Sequence, residues 1–418
     1  MSSLTLRKIV ALSLPVFLLV VSMSRPHAQT IHPKGVTIWN PFAARNGFTL
    51  LAPLEGTARL IDMAGNLVNT WTVTGYTGPT DPLPFKVPIL NSPGHILVFR
   101  GPISVPGYQR ARGTIISELD FGSRVVWEYT AGSTIGPFPF GGFHHDMLRL
   151  ANGNTMALAS VLVNEPSISS KQLIDDCVIE VDPNGQLIWV FFTFQHFDEF
   201  GFSDAGKTQI ANAGGDWAHA NAIDVVPPND LNDSRFTPDN VIISYRSLNV
   251  FIVIDKMTRQ IVWKSGPDNN LTIGQHNVHM IPQGLQGAGH ILAFDNGGSG
   301  GYPPSFRDFS RVVEVDPVAR TIPWMYTASK TGLQNWSLFS SIISSAQRLG
   351  DGNTLIAEGL KGRIFEVNSL GAIVWEYMSP YAENRPDGGT TVTDFNVYRA
   401  YRLPYYWPFV GAPPDGGV

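Results

Sequence analysis

His145, His219, Asn221, Arg246 and His276 are the side chains of this sequence whose types could do chemistry together. An imidazole with an ordinary pKa of about 6.5 is mostly neutral at pH 7, so its lone pair can attack an electrophile or take up a proton. A guanidinium beside it would grip an anion through a planar set of donors, and a carboxamide adds one donor group and one acceptor. Three histidines could ligate zinc, but a neighbouring arginine disfavours a second positive charge. No metal or cofactor is therefore expected. These residues lie far apart in sequence, so only a fold that returns the chain repeatedly to one axis could unite them.

Such a fold is written in a sixfold repeat. Trp71, Trp127, Trp189, Trp263, Trp324 and Trp375 each close a string of the form LIDMAGNLVNTW (60–71), ISELDFGSRVVW (116–127), VIEVDPNGQLIW (178–189), FIVIDKMTRQIVW (251–263), VVEVDPVARTIPW (312–324) or IFEVNSLGAIVW (364–375). Apolar alternation, an Asp/Asn/Gly turn and a second β-branched run make each string a β-hairpin. A second string precedes every hairpin: NGFTLLA (46–52), SPGHILVF (92–99), ANGNTMALAS (151–160), TPDNVIISYRS (237–247), GAGHILAFDNG (287–297) and GDGNTLIAEG (350–359). With one more strand upstream, each unit has the four strands of a propeller blade. The first unit lacks its upstream strand, and FNVYRAYRLPYYWP (395–408) has no partner of its own. The expected fold is therefore all-β, a six-bladed β-propeller over 35–408, closed by pairing of N- and C-terminal strands in one blade.

The innermost strands should carry the site. Counting back six positions from the residue opening each turn motif gives Lys86, His145, Asn221, His276, Ser344 and Tyr398, with His219 two residues before Asn221. These positions would ring the mouth of the central channel. His144 should face the other side from His145, and is the channel-facing member of the pair if the register slips by one; alternation points His279 away from the channel. His27, His32, His95, His196 and His290 read as structural or incidental. A lone surface arginine is ordinarily just solvated; Arg246, following the strand after Asn221, becomes an anion clamp only if it lies at that mouth. DNGGSGGYPP (295–304) resembles a phosphate loop only by glycine count, leads into no helix, and reads as a flexible loop at the channel mouth.

Composition agrees with this. With 43% hydrophobic residues the chain can fill a core, and 41 Gly with 31 Pro suit many turns. No long stretch has helical period. A net charge of -5 without a Lys/Arg cluster gives no reason to expect nucleic acid as a partner. The single cysteine, Cys177, lies within a strand and reads as a small buried apolar residue. Arg7 and Lys8 precede the apolar run 9–23, so residues 1–28 read as a secretory signal peptide or, if uncleaved, an N-terminal anchor. The working location is then extracytoplasmic, with a possible membrane tether, and 409–418 is a C-terminal tail.

The stretches GVTIWNPFAARNGFTLLAP, HHDM (144–147), DWAHANAIDV (216–225), SYRSLNVFIVID (244–255), GQHNVHMIP, GHILAFDNG and NVYRAYRLPY (396–405) together resemble the aryl-sulfate sulfotransferase family. The Trp hairpins alone are less specific, since quinone-dependent dehydrogenase propellers approximate them. The resemblance implies a six-bladed propeller that moves a sulfuryl group from an aryl sulfate donor to a phenolic acceptor, with no nucleotide sulfate donor. It also implies that His276 of the Gln-His pair is the nucleophile and becomes transiently sulfated. By the same resemblance His219 and Asn221 match the His-x-Asn pair, Arg246 the family arginine, and His145 the histidine of His-His-Asp. The long bacterial periplasmic members carry an extra amino-terminal β-domain, for which this sequence leaves little room.

The chemistry suits these residues. A loose sulfuryl transition state, like a phosphoryl one, gathers negative charge on peripheral oxygens and is stabilised by fixed donors. A covalent intermediate divides one displacement into two and predicts ping-pong kinetics. Phe200 and Phe202, in the long link between Trp189 and His219, are expected to line the pocket for the phenol. The contrasting readings are a non-catalytic propeller serving as an extracytoplasmic binding scaffold, and a quinone- or metal-dependent oxidoreductase.

Overall fold

The computed structural model describes residues 33–53, 57–73, 85–86, 92–101, 113–267, 271–387 and 390–410. The expected leader, 1–28, and residues 411–418 of the expected tail lie outside the described residues, while Trp407–Val410 forms a short helix. Six antiparallel sheets of four principal strands form a six-bladed propeller.

Blade 1 has the order Val397–Leu403, Phe48–Pro53, Thr57–Ile61, Leu67–Thr72, with Leu50 opposite Tyr401 and Leu51 opposite Ala400. Blade 2 runs Phe85–Lys86, Ile96–Arg100, Ile115–Leu119, Val125–Thr130. Blade 3 runs Phe138–Arg149, Thr155–Val163, Leu173–Val181, Leu187–Phe192. Blade 4 runs Ala220–Val225, Val241–Tyr245, Val250–Ile254, Ile261–Lys264. Blade 5 runs His276–Met280, Ile291–Asp295, Arg311–Asp316, Thr321–Tyr326. Blade 6 runs Ser345–Arg348, Thr354–Glu358, Arg363–Val367, Ile373–Met378, and Gly35–Trp39 adds a fifth strand to its outer edge.

The repeated hairpin has a local cause. Its leading Asp or Asn accepts two backbone N–H groups across the turn: Asp62 from Ala64 and Asn66, Asp182 from Asn184 and Gln186, Asn368 from Leu370 and Ala372. The turn then needs a left-handed residue, supplied by Gly65, Gly185 and Gly371 at φ +84°, +80° and +86°. Its Trp has a global cause. The indoles of Trp71, Trp127, Trp189, Trp263 and Trp375 donate at 2.8–2.9 Å to the carbonyls of Asp120, Pro183, Lys256, Pro317 and Met63, each in the hairpin of a neighbouring blade. Trp324 instead lies under the Arg348 guanidinium, 4.7 Å from the ring centre.

The turn before each hairpin also contributes to blade packing. His95 and Arg149 converge on Glu118, and His290 and Arg348 converge on Glu314. Each histidine bonds the acid of its own blade, and Arg149 and Arg348 reach that acid from the next blade.

Two elements depart from the strand-only expectation. The link after Trp189 holds the helix Asp204–Ala213, whose first turn is capped by the Ser203 hydroxyl accepting from Gly206 N–H. Residues 298–307 form a two-stranded ribbon, Gly298–Gly300 against Ser305–Arg307, where a flexible loop was expected. A side chain at Gly300 would collide with Asn249, so glycine lets the ribbon sit close over the turn that carries Arg246. Among the described residues, no helix is long and apolar enough to cross a membrane.

Candidate active site

The first strands of the blades touch one another around the axis, and the expected site residues lie at or beside their starts. His276 opens its strand, while Asn221 and Tyr398 are second in theirs. Ser344 immediately precedes its strand, and His145 falls inside the long strand Phe138–Arg149. Lys86 ends the two-residue strand of blade 2, and its side chain is outside what the structure describes.

Contacts link these residues into a circuit. The rings of His145 and His219 meet edge to face with centroids 4.7 Å apart. The carbonyl of His219 accepts the Arg246 N–H at 2.9 Å. Asn221 donates through Nδ2 to the carbonyl of Gln275 at 2.7 Å, one residue before His276. His276 Nε2 accepts the Ile343 N–H at 3.1 Å. Ser344 N–H then reaches the Tyr398 carbonyl at 3.0 Å, and the Tyr398 hydroxyl donates to the His145 carbonyl at 3.2 Å. All five candidates from the sequence therefore belong to one cluster spread over blades 3 to 5, with blades 1 and 6 completing the circuit.

His276 is held in one tautomer. Its Nδ1–H points at Asn296 Oδ1, 2.8 Å away, and the carbonyl of Gly274 is 3.1 Å away. Asn296 cannot turn over, because its Nδ2 donates to the carbonyls of Ser340 at 2.7 Å and Ile343 at 2.9 Å. The lone pair of His276 is thus on Nε2. Burial, reinforced by the Arg246 charge, lowers its pKa to about 3, with the Asn296 hydrogen bond opposing the shift. An imidazole with that pKa is neutral across the whole working range of pH.

Gln275 explains the pairing of Gln with His. Its Nε2 donates to Ser244 Oγ and to the carbonyls of Tyr245 and Val250, pinning the start of blade 5 to blade 4. Asn221 is fully buried and its Nδ2 is on the Gln275 carbonyl, so it fixes the backbone just before His276. His219 is oriented by Asp216, whose Oδ2 lies 2.8 Å from Nδ1. Arg246 is partly exposed, in the turn between Val241–Tyr245 and Val250–Ile254.

Sequence reasoning missed Asn296, Arg399, Asp176 and Asp216. Arg399 is buried and pairs with Asp146 at 2.8 Å, and Asp146 also accepts from Ile223 N–H at 3.0 Å, so this pair ties blades 1, 3 and 4. Burial works against the Arg399 charge, but Asp146 outweighs it and the pKa is raised. The pair Asp175-Asp176 inside the apolar run LIDDCVIEV was a visible signal. Cys177, next to it, is a buried free thiol, pushed well up by burial.

The expected phenol pocket is corrected. Phe200 is 0% exposed and Phe202 6%. Phe200 packs 5.4 Å from Tyr245 and 5.5 Å from Phe202, within the main hydrophobic core. The link folds back on the sheet and buries the rings of Phe200 and Phe202, which are then unavailable to a substrate.

A family model described as arylsulfotransferase (ASST) matches residues 91–382, most of the chain and all the residues of the cluster except Tyr398. The chain belongs to the arylsulfotransferase family. Family membership makes it a sulfotransferase-type protein acting on small aromatic substrates. No curated protein matches. Among solved structures, the chain is similar to a protein of unknown function from Bacteroides caccae (12% identity, 85% of this chain and 98% of that one, TM-score 0.47). It is also similar to the Dos1 propeller (13%, 86% and 82%, TM-score 0.39). A third is quinohemoprotein alcohol dehydrogenase from Comamonas testosteroni (10%, 86% and 70%, TM-score 0.39).

Proposed function

We propose that this arylsulfotransferase carries a sulfuryl group from an aryl sulfate to a phenol through a covalent sulfo-imidazole on His276, with no nucleotide donor. The observation that carries this reading is the state of His276: neutral, with its proton fixed on Nδ1 by Asn296 and its lone pair on Nε2 beside Arg246. Nε2 attacks sulfur as the S–O bond to the aryl group breaks. The Ile343 N–H, which rests on that lone pair, moves onto a sulfuryl oxygen as the S–N bond forms. Arg246 takes the peripheral negative charge that grows in the transition state.

The departing phenolate, with a parent pKa of about 10, needs a proton, and His145 or His219 supplies it. A phenol acceptor then reverses the sequence and regenerates His276. Asn221 acts through Gln275 by holding His276 in place. We place the reaction outside the cytoplasm, with 1–28 as signal or anchor ahead of a propeller over 35–408.

Mixing the protein with para-nitrophenyl sulfate and varied phenol tests this reading. Parallel lines in the double-reciprocal plots are expected. Intersecting lines, or no release of nitrophenol by folded protein, contradict it.

A further inference from the structure

Behind His145 lies a buried acid–imidazole chain that the transfer scheme above does not use. We propose that Asp176 and His144 form a proton-positioning relay for His145, making it the general acid of the donor half-reaction and the general base of the acceptor half-reaction; this rests on the sulfuryl-transfer reading. His144 and Asp176 are positioning residues, since they act through His145.

Consecutive residues of a strand should point to opposite faces. Here they do not: His144 Nδ1 and His145 Nδ1 are 2.9 Å apart. The cause is a break in strand register between Phe143 and Met147, with His145 in the left-handed region at φ +55°. A bulge of this kind re-aims a side chain and is common beside active sites, and a non-glycine residue at that φ is costly.

The protons follow from the surroundings. His144 is 1% exposed, and its Nε2 lies 3.2 Å from Asp176 Oδ1. Asp176 is 1% exposed and accepts the Ala220 N–H at 2.6 Å. Its neighbour Asp175 is driven well up by burial and then by the charge of Asp176. A buried carboxylate needs a proton donor facing it, which puts the His144 proton on Nε2 and leaves its Nδ1 as acceptor. His145 must then donate Nδ1–H to His144. Its exchangeable proton is on Nε2, the far side of the ring, and His145 is the partly exposed member of the pair. The other charged groups nearby are Asp146 with Arg399, His219 with Asp216, and Arg246.

In the donor half-reaction the S–O bond electrons go to the phenolate oxygen, which takes the Nε2 proton of the His145 imidazolium. In the acceptor half-reaction the incoming phenol gives its proton to the same Nε2. Its oxygen bonds sulfur, and the S–N electrons return to His276. The Asp176 carboxylate, through His144, stabilises the imidazolium that precedes the donor step and is regenerated by the acceptor step, as a buried carboxylate does for a catalytic histidine.

The test compares leaving groups. His144→Gln and Asp176→Asn are assayed with unsubstituted phenyl sulfate and with para-nitrophenyl sulfate, whose phenolate leaves with less need of a proton. The expected result is a loss of about 10²-fold on phenyl sulfate and about tenfold on the nitrophenyl ester. Equal losses on both esters, or no loss, overturn the relay while leaving sulfuryl transfer intact. A native protein that turns over neither ester overturns both. Imidazole nitrogen NMR of the native protein, titrated until His145 is neutral, provides a check that needs no variant: neutral His145 is expected to keep its proton on Nδ1, and a neutral His145 protonated on Nε2 overturns the relay.

Discussion

At the outer rim the blades repeat one solution, a Trp indole donating to a carbonyl of the next hairpin, in five of the six copies. At the inner mouth the equivalent positions hold His145, Asn221, His276, Ser344 and Tyr398, and each makes a different contact. Repetition marks what every blade needs in order to pack on its neighbour. Departure from repetition marks what the molecule needs only once. The mouth also holds His145, His219, Asn277, Ile343 and Ser344 at φ between +52° and +88°, whereas the rim turns place glycine at positive φ in three hairpins and Ser123, Arg259 and Arg320 in the other three. Left-handed residues that are not glycine cost stability, and they are retained where side chains or amides must be aimed.

That contrast can be broken from either side. His276→Asn is expected to abolish transfer, by at least about 10³-fold, with the melting temperature little changed, as nitrophenol release and calorimetry would show. Phe200→Ala is expected to cost about 3–5 kcal/mol of stability in denaturant titration, with the acceptor KM of the folded fraction unaltered, because the ring is core. Arg246→Ala is expected to lower kcat/KM for the donor by about 10²–10³-fold, with partial recovery in Arg246→Lys. Trp263→Phe removes the donor to Pro317 at the rim and is expected to lower stability by about 1–2 kcal/mol while leaving kinetics alone.

The smallest effect sharpens the comparison through pH. Because the folded pKa of His276 is about 3 and the unfolded one about 6.5, the unfolded chain binds one more proton between these values. Stability from this group is present above pH 6.5 and lost as pH falls, at up to about 1.4 kcal/mol per pH unit. His276→Gln is expected to flatten the fall of melting temperature between pH 6.5 and 4 relative to the native protein. Identical slopes would mean that the imidazole is solvated.

The rim was legible in the sequence because its cause is local and repeated: an Asp or Asn that opens the turn and a Trp seven to nine residues later announce themselves six times. The candidates at the mouth were legible because the same period located the innermost strands, and because the Gln-His and His-x-Asn motifs resemble a family. What stayed hidden depends on tertiary placement. Asn296 follows a strand in DNG and looks like a turn residue until Ser340 and Ile343, far along the chain, fix its amide. His144 was expected to face away from His145, and only the bulge brings their rings together. Phe200 and Phe202 were expected at the substrate because their link is long, but its helix and 3-10 turn fold the rings into the core.

The most direct measurement is mass spectrometry of the protein quenched after mixing with aryl sulfate and no acceptor. An added mass of about 80 Da on the peptide carrying His276, discharged on adding phenol, is the expected result. Turnover of the donor by the native protein without that adduct, or with the adduct on another residue, contradicts the assignment of His276 as the nucleophile.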